Sequence, residues 1–196
     1  LQLCGEANAA NEIVTHRDAA MLLHAILTRA FAVTAPAAPV TLVNAADVNI
    51  NDYLLALWQV PEPVLAAFNV AGWTYCIDFD YMGGLSKKLN MSCIGATSYG
   101  QKTIYISEAS ATLHEFGHFL DYALGFPAEH ERLYLAESQN SSLRDYAKTN
   151  SREFFADCLV YWITYSADKK RMDDFRDAAP QTYAYMKKLA TNNWGA

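Results

Sequence analysis

The chain has no apolar run long enough to cross a bilayer, which excludes a membrane-spanning helix. Nor has it an excess of basic residues. Its 15 Lys and Arg stand against 21 Asp and Glu, for a net charge of −6 and a pI near 5.3. No broad positive field therefore gathers nucleic acid or anionic lipid, and the pairs and triplets Lys87-Lys88, Lys169-Lys170-Arg171 and Lys187-Lys188 read as solvated faces. There is no CxxC and no Cys/His cluster, so nothing in the cysteine spacing suggests a thiolate metal site. The four cysteines, Cys4, Cys76, Cys93 and Cys158, leave free thiols or one disulfide open. Cys76 with Cys93 is the first choice for a bridge, because both fall in strand-like text on either side of a Gly-Gly pair. No internal repeat and no low-complexity tract occurs apart from the Ala/Pro segment at 35–39, which reads as a break between elements. The first residue is Leu and no basic-then-apolar leader follows, so a processed or trimmed form is expected.

What is present is enough to build a core. A chain of 196 residues with 52% hydrophobic and 13% aromatic content can bury roughly 70% of its unfolded surface. Apolar spacing predicts a helix over about 16–32, in which His24 reads as a core or boundary histidine. "VTLVN" at 40–44 reads as a strand, "NDYLLALW" as a helix, and Pro61-Glu62-Pro63 as a helix start. From Trp73 to Ser107 the text reads as β: "WTYCIDFD", a turn at Gly83-Gly84, "LNMSCIG" and "KTIYIS". Helical spacing then resumes up to Gly125 and Pro127, and continues at about 128–137, at 152–166, and in two shorter helices meeting at Pro180. The expectation is an α+β fold comprising one domain over 1–196. A small mixed sheet and an active-site helix lie in an N-terminal lobe of about 1–125, and a helical lobe spans about 126–196.

At the junction stands "TLHEFGHFLD", residues 112–121. On a helix, residues four apart lie one turn above each other, so His114 and His118 can present imidazole nitrogens to one ion. Glu115 sits about 100° round, off the metal, where a base that takes a proton from attacking water belongs. The same pattern also suits an exposed helix with two surface histidines. A catalytic zinc needs a third protein ligand, which distinguishes the two. The His-based version would require Gly at 121 and His at 124, where this chain has Asp121 and Leu124. His130 reads as an exposed helix residue, leaving Glu129, Glu131, Glu137 and Glu153. Glu153 is preferred, with Glu137 second: it opens "SREFFADCLVYW", where Ser151 can cap a helix whose apolar residues pack inward. Asp157, one turn after Glu153, can accept the other N–H of a ligating histidine, and Asp121 is placed to do similar work.

"HEFGHFLDY", "DYAKTNSREFFAD" and "APQTYAYMKKL", in order from about Gly83 to the C-terminus, resemble the catalytic domain of the anthrax lethal factor family, which includes the secreted clostridial Pro-Pro endopeptidases. The resemblance implies a zincin-like metalloprotease fold and one Zn²⁺ per chain. It implies His114, His118 and Glu153 as zinc ligands, Glu115 as general base, and Tyr146, seven residues before the third ligand, as a donor to the developing oxyanion. On residues alone Tyr146 is a packing aromatic. The implied activity is zinc-dependent hydrolysis of peptide bonds in an extended protein substrate, by a secreted protein. The substrate is expected to pair along a sheet edge near Leu89 to Gly95, with Gly83, Gly84 and Arg152 as substrate-binding candidates. A monomer with no nucleic-acid and no membrane partner is expected.

Two departures stand out. Arg152 replaces the second glutamate that the Pro-Pro endopeptidases carry before the zinc-binding one. The Trp that they hold ahead of the Gly-Gly pair is missing, its place falling near Cys76. A Pro-Pro preference therefore does not transfer. A second reading is a non-catalytic binding or adhesion module with a structural metal, and the retained Glu115 and Tyr146 speak against it.

Overall fold

The computed structural model describes residues 38–195, which pack as one unit. The helix expected at 16–32, with His24, and Cys4 lie outside the described residues. In chain order the elements are β1 (Leu42–Asn44), α1 (Asn51–Leu57), α2 (Glu62–Val70), β2 (Thr74–Ile77), α3 (Phe79–Leu89), β3 (Gly95–Ser98) and β4 (Thr103–Ile106). After these come α4 (Thr112–Ala123), α5 (Ala128–Glu137), α6 (Ser151–Tyr165), α7 (Lys169–Ala178) and α8 (Pro180–Thr191). Single 3-10 turns occupy Ala109–Ala111, Asp145–Lys148 and Asn193–Gly195. The architecture is α+β, with a small mixed sheet before α4 and only helices after it among the described residues.

The sheet runs in the order β1-β2-β4-β3. β1, β2 and β4 are parallel, and β3 joins β4 antiparallel with Gly95 opposite Ile106 and Ser98 opposite Thr103. β3 is thus an edge strand whose outer main-chain groups are open for pairing. Tyr75 and Ile77 of β2 and Ile104 and Ile106 of β4 are fully buried and face helices, as parallel strands covered by helices should. Phe68 of α2 lies 4.9 Å from Phe116 and 5.0 Å from Phe119, so α2 and α4 share an aromatic core with Trp73. Each such ring contributes about 1.5–3 kcal/mol by burial. The Tyr75 hydroxyl lies 2.7 Å from Thr112 Oγ1, a buried hydrogen bond that ties the first residue of α4 to β2.

Two expectations are corrected in this half. Asp78 does not continue a strand: its side chain accepts from the Tyr81 N–H at 2.8 Å and caps α3. Gly83 and Gly84 therefore lie inside a helix, on its exposed side, and not in a turn. The cap, with Lys87 and Lys88 in the last turn and Asn90 in the left-handed conformation at its end, outweighs the about 1 kcal/mol that each helical glycine costs. Cys76, Cys93 and Cys158 are all free thiols, so no Cys76–Cys93 bridge forms. Cys76 is buried in β2, while Cys93 lies in the connection after α3.

Candidate metal centre

α4 is buried along most of its length, from Thr112 to Asp121. It packs closely on α6 because residue 117 is glycine: a Cβ there would lie 2.5 Å from the Ala156 Cα. That close approach brings Glu153, in the first turn of α6, up to the two histidines. The α6 N-terminus is capped by Asn150, whose side chain accepts from the N–H groups of Arg152 and Glu153 at 3.0 and 3.1 Å. Ser151, the expected cap, is the first helical residue instead. Asn150 wins because its extended backbone turns its amide oxygen onto the N2 and N3 donors.

His114 Nε2 lies 2.9 Å from Glu153 Oε2 and 3.2 Å from His118 Nε2, and His118 Nε2 lies 3.3 Å from the same carboxylate oxygen. Two donors bound at about 2.0–2.1 Å to one tetrahedral zinc are roughly 3.3 Å apart, so these three separations match a three-ligand face. With both imidazoles neutral, two ring nitrogens and a carboxylate oxygen turn lone pairs toward one point, as ligands to a cation do. The orphaned buried Nδ1 of His118 leaves Nε2 as that ring's one useful donor atom. His114, His118 and Glu153 thus fit a divalent cation such as zinc, by donor type and by spacing.

Asp157 Oδ1 accepts from His114 Nδ1 at 2.8 Å, which directs Nε2 into the cluster. Arg144, not anticipated from sequence, donates to Asp157 from Nε at 2.5 Å and from a terminal nitrogen at 2.7 Å, a bidentate pair that orients the carboxylate. Both acids are held below the ordinary carboxylate range. Burial opposes this in each, but the hydrogen bond from His114, with that from His118 for Glu153 and from Arg144 for Asp157, outweighs it, bringing Glu153 down to about 2. Burial likewise opposes charge on His114, yet its bonds to Asp157 and Glu153 push it up to about 9. Replacing Asp157 with Asn is expected to weaken zinc binding about 10–100-fold with little change in secondary structure. Competition against a chromophoric chelator measures it, and an unchanged affinity would remove Asp157 from this role.

Asp121 does not serve the histidines of α4. Its carboxylate lies 2.7 Å from His130 Nδ1, and His130 Nε2 lies 2.9 Å from the Tyr185 hydroxyl. His130 is not exposed, being 4% accessible and stacked on Phe155 with ring centroids 3.9 Å apart. The short turn at Gly125–Pro127 folds α5 back so that position 130 returns to Asp121, which helical spacing alone does not show. Glu137, the second candidate ligand, instead accepts from the N–H groups of Gln181 and Thr182 and from the Thr182 hydroxyl, capping α8. Glu129 is paired with Arg132 at the surface.

Glu115 is buried beside the cluster. Thr97 Oγ1 donates to its Oε2 at 2.7 Å, and Gly95 leaves the room its side chain occupies, since a Cβ there would lie 2.7 Å from Oε1. Thr97 was not anticipated, and Gly95 only as the end of the expected substrate edge, because their proximity to Glu115 depends on the placement of β3 against α4. Burial raises the Glu115 pKa, opposed by His118, His114 and the Thr97 hydrogen bond. The Tyr146 ring centroid lies 6.0 Å from that of His114, and the phenol is kept protonated as burial and then Glu153 raise its pKa.

These groups face a cleft of about 520 Å³ lined by β3, by Leu85 and Leu89 of α3, and by Tyr146 and Arg152. Gly83 and Gly84 do not line it. The edge strand along it is Gly95–Ser98; of the span expected for substrate pairing, only Gly95 lies in that strand, since Leu89 closes α3 and 90–94 form a connection.

An edge strand beside a His/Glu/His helix, faced by a second helix that brings a glutamate, defines a zincin-like frame. The family model for the anthrax toxin lethal factor, N- and C-terminal domain, matches residues 77–189, and the chain belongs to that family. The Pro-Pro endopeptidase from Paenibacillus alvei has the same fold, with a TM-score of 0.57 at 17% identity over 76% of this chain and 96% of that one. No curated protein matches this chain in sequence. No described helix is long and apolar enough to cross a membrane.

Proposed function

We propose that this chain is a zinc-dependent metalloendopeptidase, one protease domain acting outside the cell on an extended segment of a protein or peptide. The observation that carries the reading is the convergence of His114, His118 and Glu153 within ligand spacing, with Glu115 buried alongside. His114, His118 and Glu153 would hold the zinc, which would supply Lewis-acid charge and make water at the site more acidic. Glu115 takes the proton of the attacking water and returns it to the leaving amine, a role suited by a carboxylate raised above its ordinary pKa. Thr97 fixes which carboxylate oxygen faces the reaction. Tyr146 donates its O–H to the carbonyl oxygen as charge develops there. The open edge of β3 holds the substrate main chain extended. A structural metal site would have no use for a buried base steadied by an edge strand, and this favours the enzyme over the binding module.

The test is metal analysis with digestion of a peptide library, with and without a chelator. One zinc per chain and chelator-sensitive internal cleavage are expected. Stoichiometric zinc with every peptide intact would rule out the protease reading.

Zinc uptake should depend on pH in a defined direction. In the metal-free protein His114 is protonated until about pH 9, and it must lose that proton before Nε2 can act as a ligand. Apparent zinc affinity is therefore expected to rise up to about tenfold per pH unit and to level off near pH 9. A titration series from pH 6 to pH 9.5 reads this, and a flat profile contradicts it. The same proton links stability to pH without zinc: its stabilising contribution is complete below about 6.5 and is lost as pH rises through about 9.

A further inference from the structure

Among the described residues, Arg152 is the only Lys or Arg lining the cleft. Every other described arginine is paired: Arg132 with Glu129, Arg144 with Asp157, Arg171 with Asp168, and Arg176 with Asp173 and Asp177. Arg152 has no carboxylate partner among the described residues. Its guanidinium lies 4.5 Å from the centroid of the Phe126 ring and 5.8 Å from that of Tyr99. Those two rings meet edge to face at 5.3 Å.

This platform is built at a cost. α4 ends with the Gly125 N–H bonded to the Tyr122 carbonyl and the Phe126 N–H to that of Asp121, a Schellman closure in which Gly125 takes φ +79. Phe126 follows at φ +51, a conformation that costs a side-chain-bearing residue on the order of 1 kcal/mol or more. The backbone is held there with the ring under Arg152. A guanidinium over aromatic rings is restrained in plane while its in-plane N–H groups stay free, the fork that matches a carboxylate.

Position sets the reach. Thr97 touches Glu115 and Tyr99 lies under Arg152, two residues and about 7 Å further along the chain. We propose that Arg152, on its Phe126–Tyr99 platform, is a specificity residue that binds a carboxylate of the substrate within about two residues of the scissile bond. The carboxylate belongs to an Asp or Glu side chain or to the C-terminus of the peptide. This rests on the protease reading above.

The test compares wild type, Arg152→Glu and Arg152→Lys on one peptide mixture, prepared with free and with amidated C-termini, cleavage sites being read by mass spectrometry. Wild type is expected to enrich Asp or Glu about tenfold at one position within two residues of the cut. Arg152→Glu should turn that position to Lys or Arg, and Arg152→Lys should keep the acidic preference at reduced strength. An effect that survives amidation assigns a side chain, and one that disappears assigns the C-terminal carboxylate. In parallel, zinc-loaded Glu115→Gln protein is titrated by fluorescence anisotropy with labelled octapeptide pools carrying Asp and Glu or Asn and Gln. About tenfold tighter binding of the acidic pool, lost in Glu115→Gln/Arg152→Glu, supports the carboxylate site even if wild type cleaves nothing and the protease reading fails. Equal binding of both pools, or an acidic preference unmoved by Arg152→Glu, overturns it.

Discussion

Glu115→Gln is expected to lower peptide turnover by about 10³-fold or more while zinc stays bound and the fold is retained. The side chains are the same size, so the space left by Gly95 stays filled, and the new amide oxygen can still accept from Thr97 Oγ1. What disappears is a buried carboxylate beside the cluster that is bonded to neither histidine nor to an arginine, and with it the capacity to take a proton. General acid–base catalysis contributes about 10²–10⁴-fold, and about 10³-fold corresponds to roughly 4 kcal/mol of transition-state stabilisation. Stability should hold or rise at neutral pH. A carboxyl group whose pKa folding raises makes the folded state less stable once it ionises, and the amide has no such liability. Steady-state kinetics with zinc analysis and a melting curve decide the matter. Turnover above about a tenth of wild type would remove Glu115 from the role of base.

Gly117→Ala is expected to lower both the melting temperature and the zinc affinity, opposite to the usual effect of this exchange in a helix. By helix propensity alone, alanine would stabilise by about 1 kcal/mol. Here the new Cβ would meet the Ala156 Cα at 2.5 Å and its Cβ at 2.9 Å, and backbone on a packed helix cannot swing aside as a flexible side chain can. Overpacking costs about 1–3 kcal/mol, occasionally more, so the net effect is destabilising, at roughly 2–4 °C of melting temperature per kcal/mol in a chain of this size. Relief requires α4 and α6 to move apart by about 1 Å. His114 and His118 stand on one of these helices and Glu153 on the other, so the same movement spreads the ligand triangle. Zinc affinity should fall at least about tenfold. A melting temperature that rises with affinity unchanged would show that the helices are not held by this contact.

The local elements were largely legible in the sequence. Apolar spacing, β-branched and aromatic composition and the Pro61-Glu62-Pro63 start placed β1, α1, α2, β4 and every helix from α4 to α8, because these signals are local to the chain. Reading failed at Asp78–Ile94, where a capping side chain and a lysine-rich last turn overrode β-like composition and a glycine pair to form α3, and where most of "LNMSCIG", expected as a strand, is a connection. The metal centre divides in the same way. His114, Glu115 and His118 are related by one turn of one helix, so their proximity follows from spacing, and Glu153 with Asp157 repeats that logic on a second helix. How the two helices meet is not local. Gly117 and Ala156 decide it, and only their contact brings Glu153 to the histidines. Sequence spacing also misassigned Asp121 and His130: a tight turn after α4 returned them to each other, making them a buried pair outside the cluster. Arg144 on Asp157, Thr97 and Gly95 around Glu115, and the aromatic bed of Arg152 join residues from separate elements. The sequence by itself determined which residue types and helix faces were on offer, since these depend on neighbours three or four positions away. The tertiary structure alone decided which of them face one another, because that depends on how closely the elements can pack.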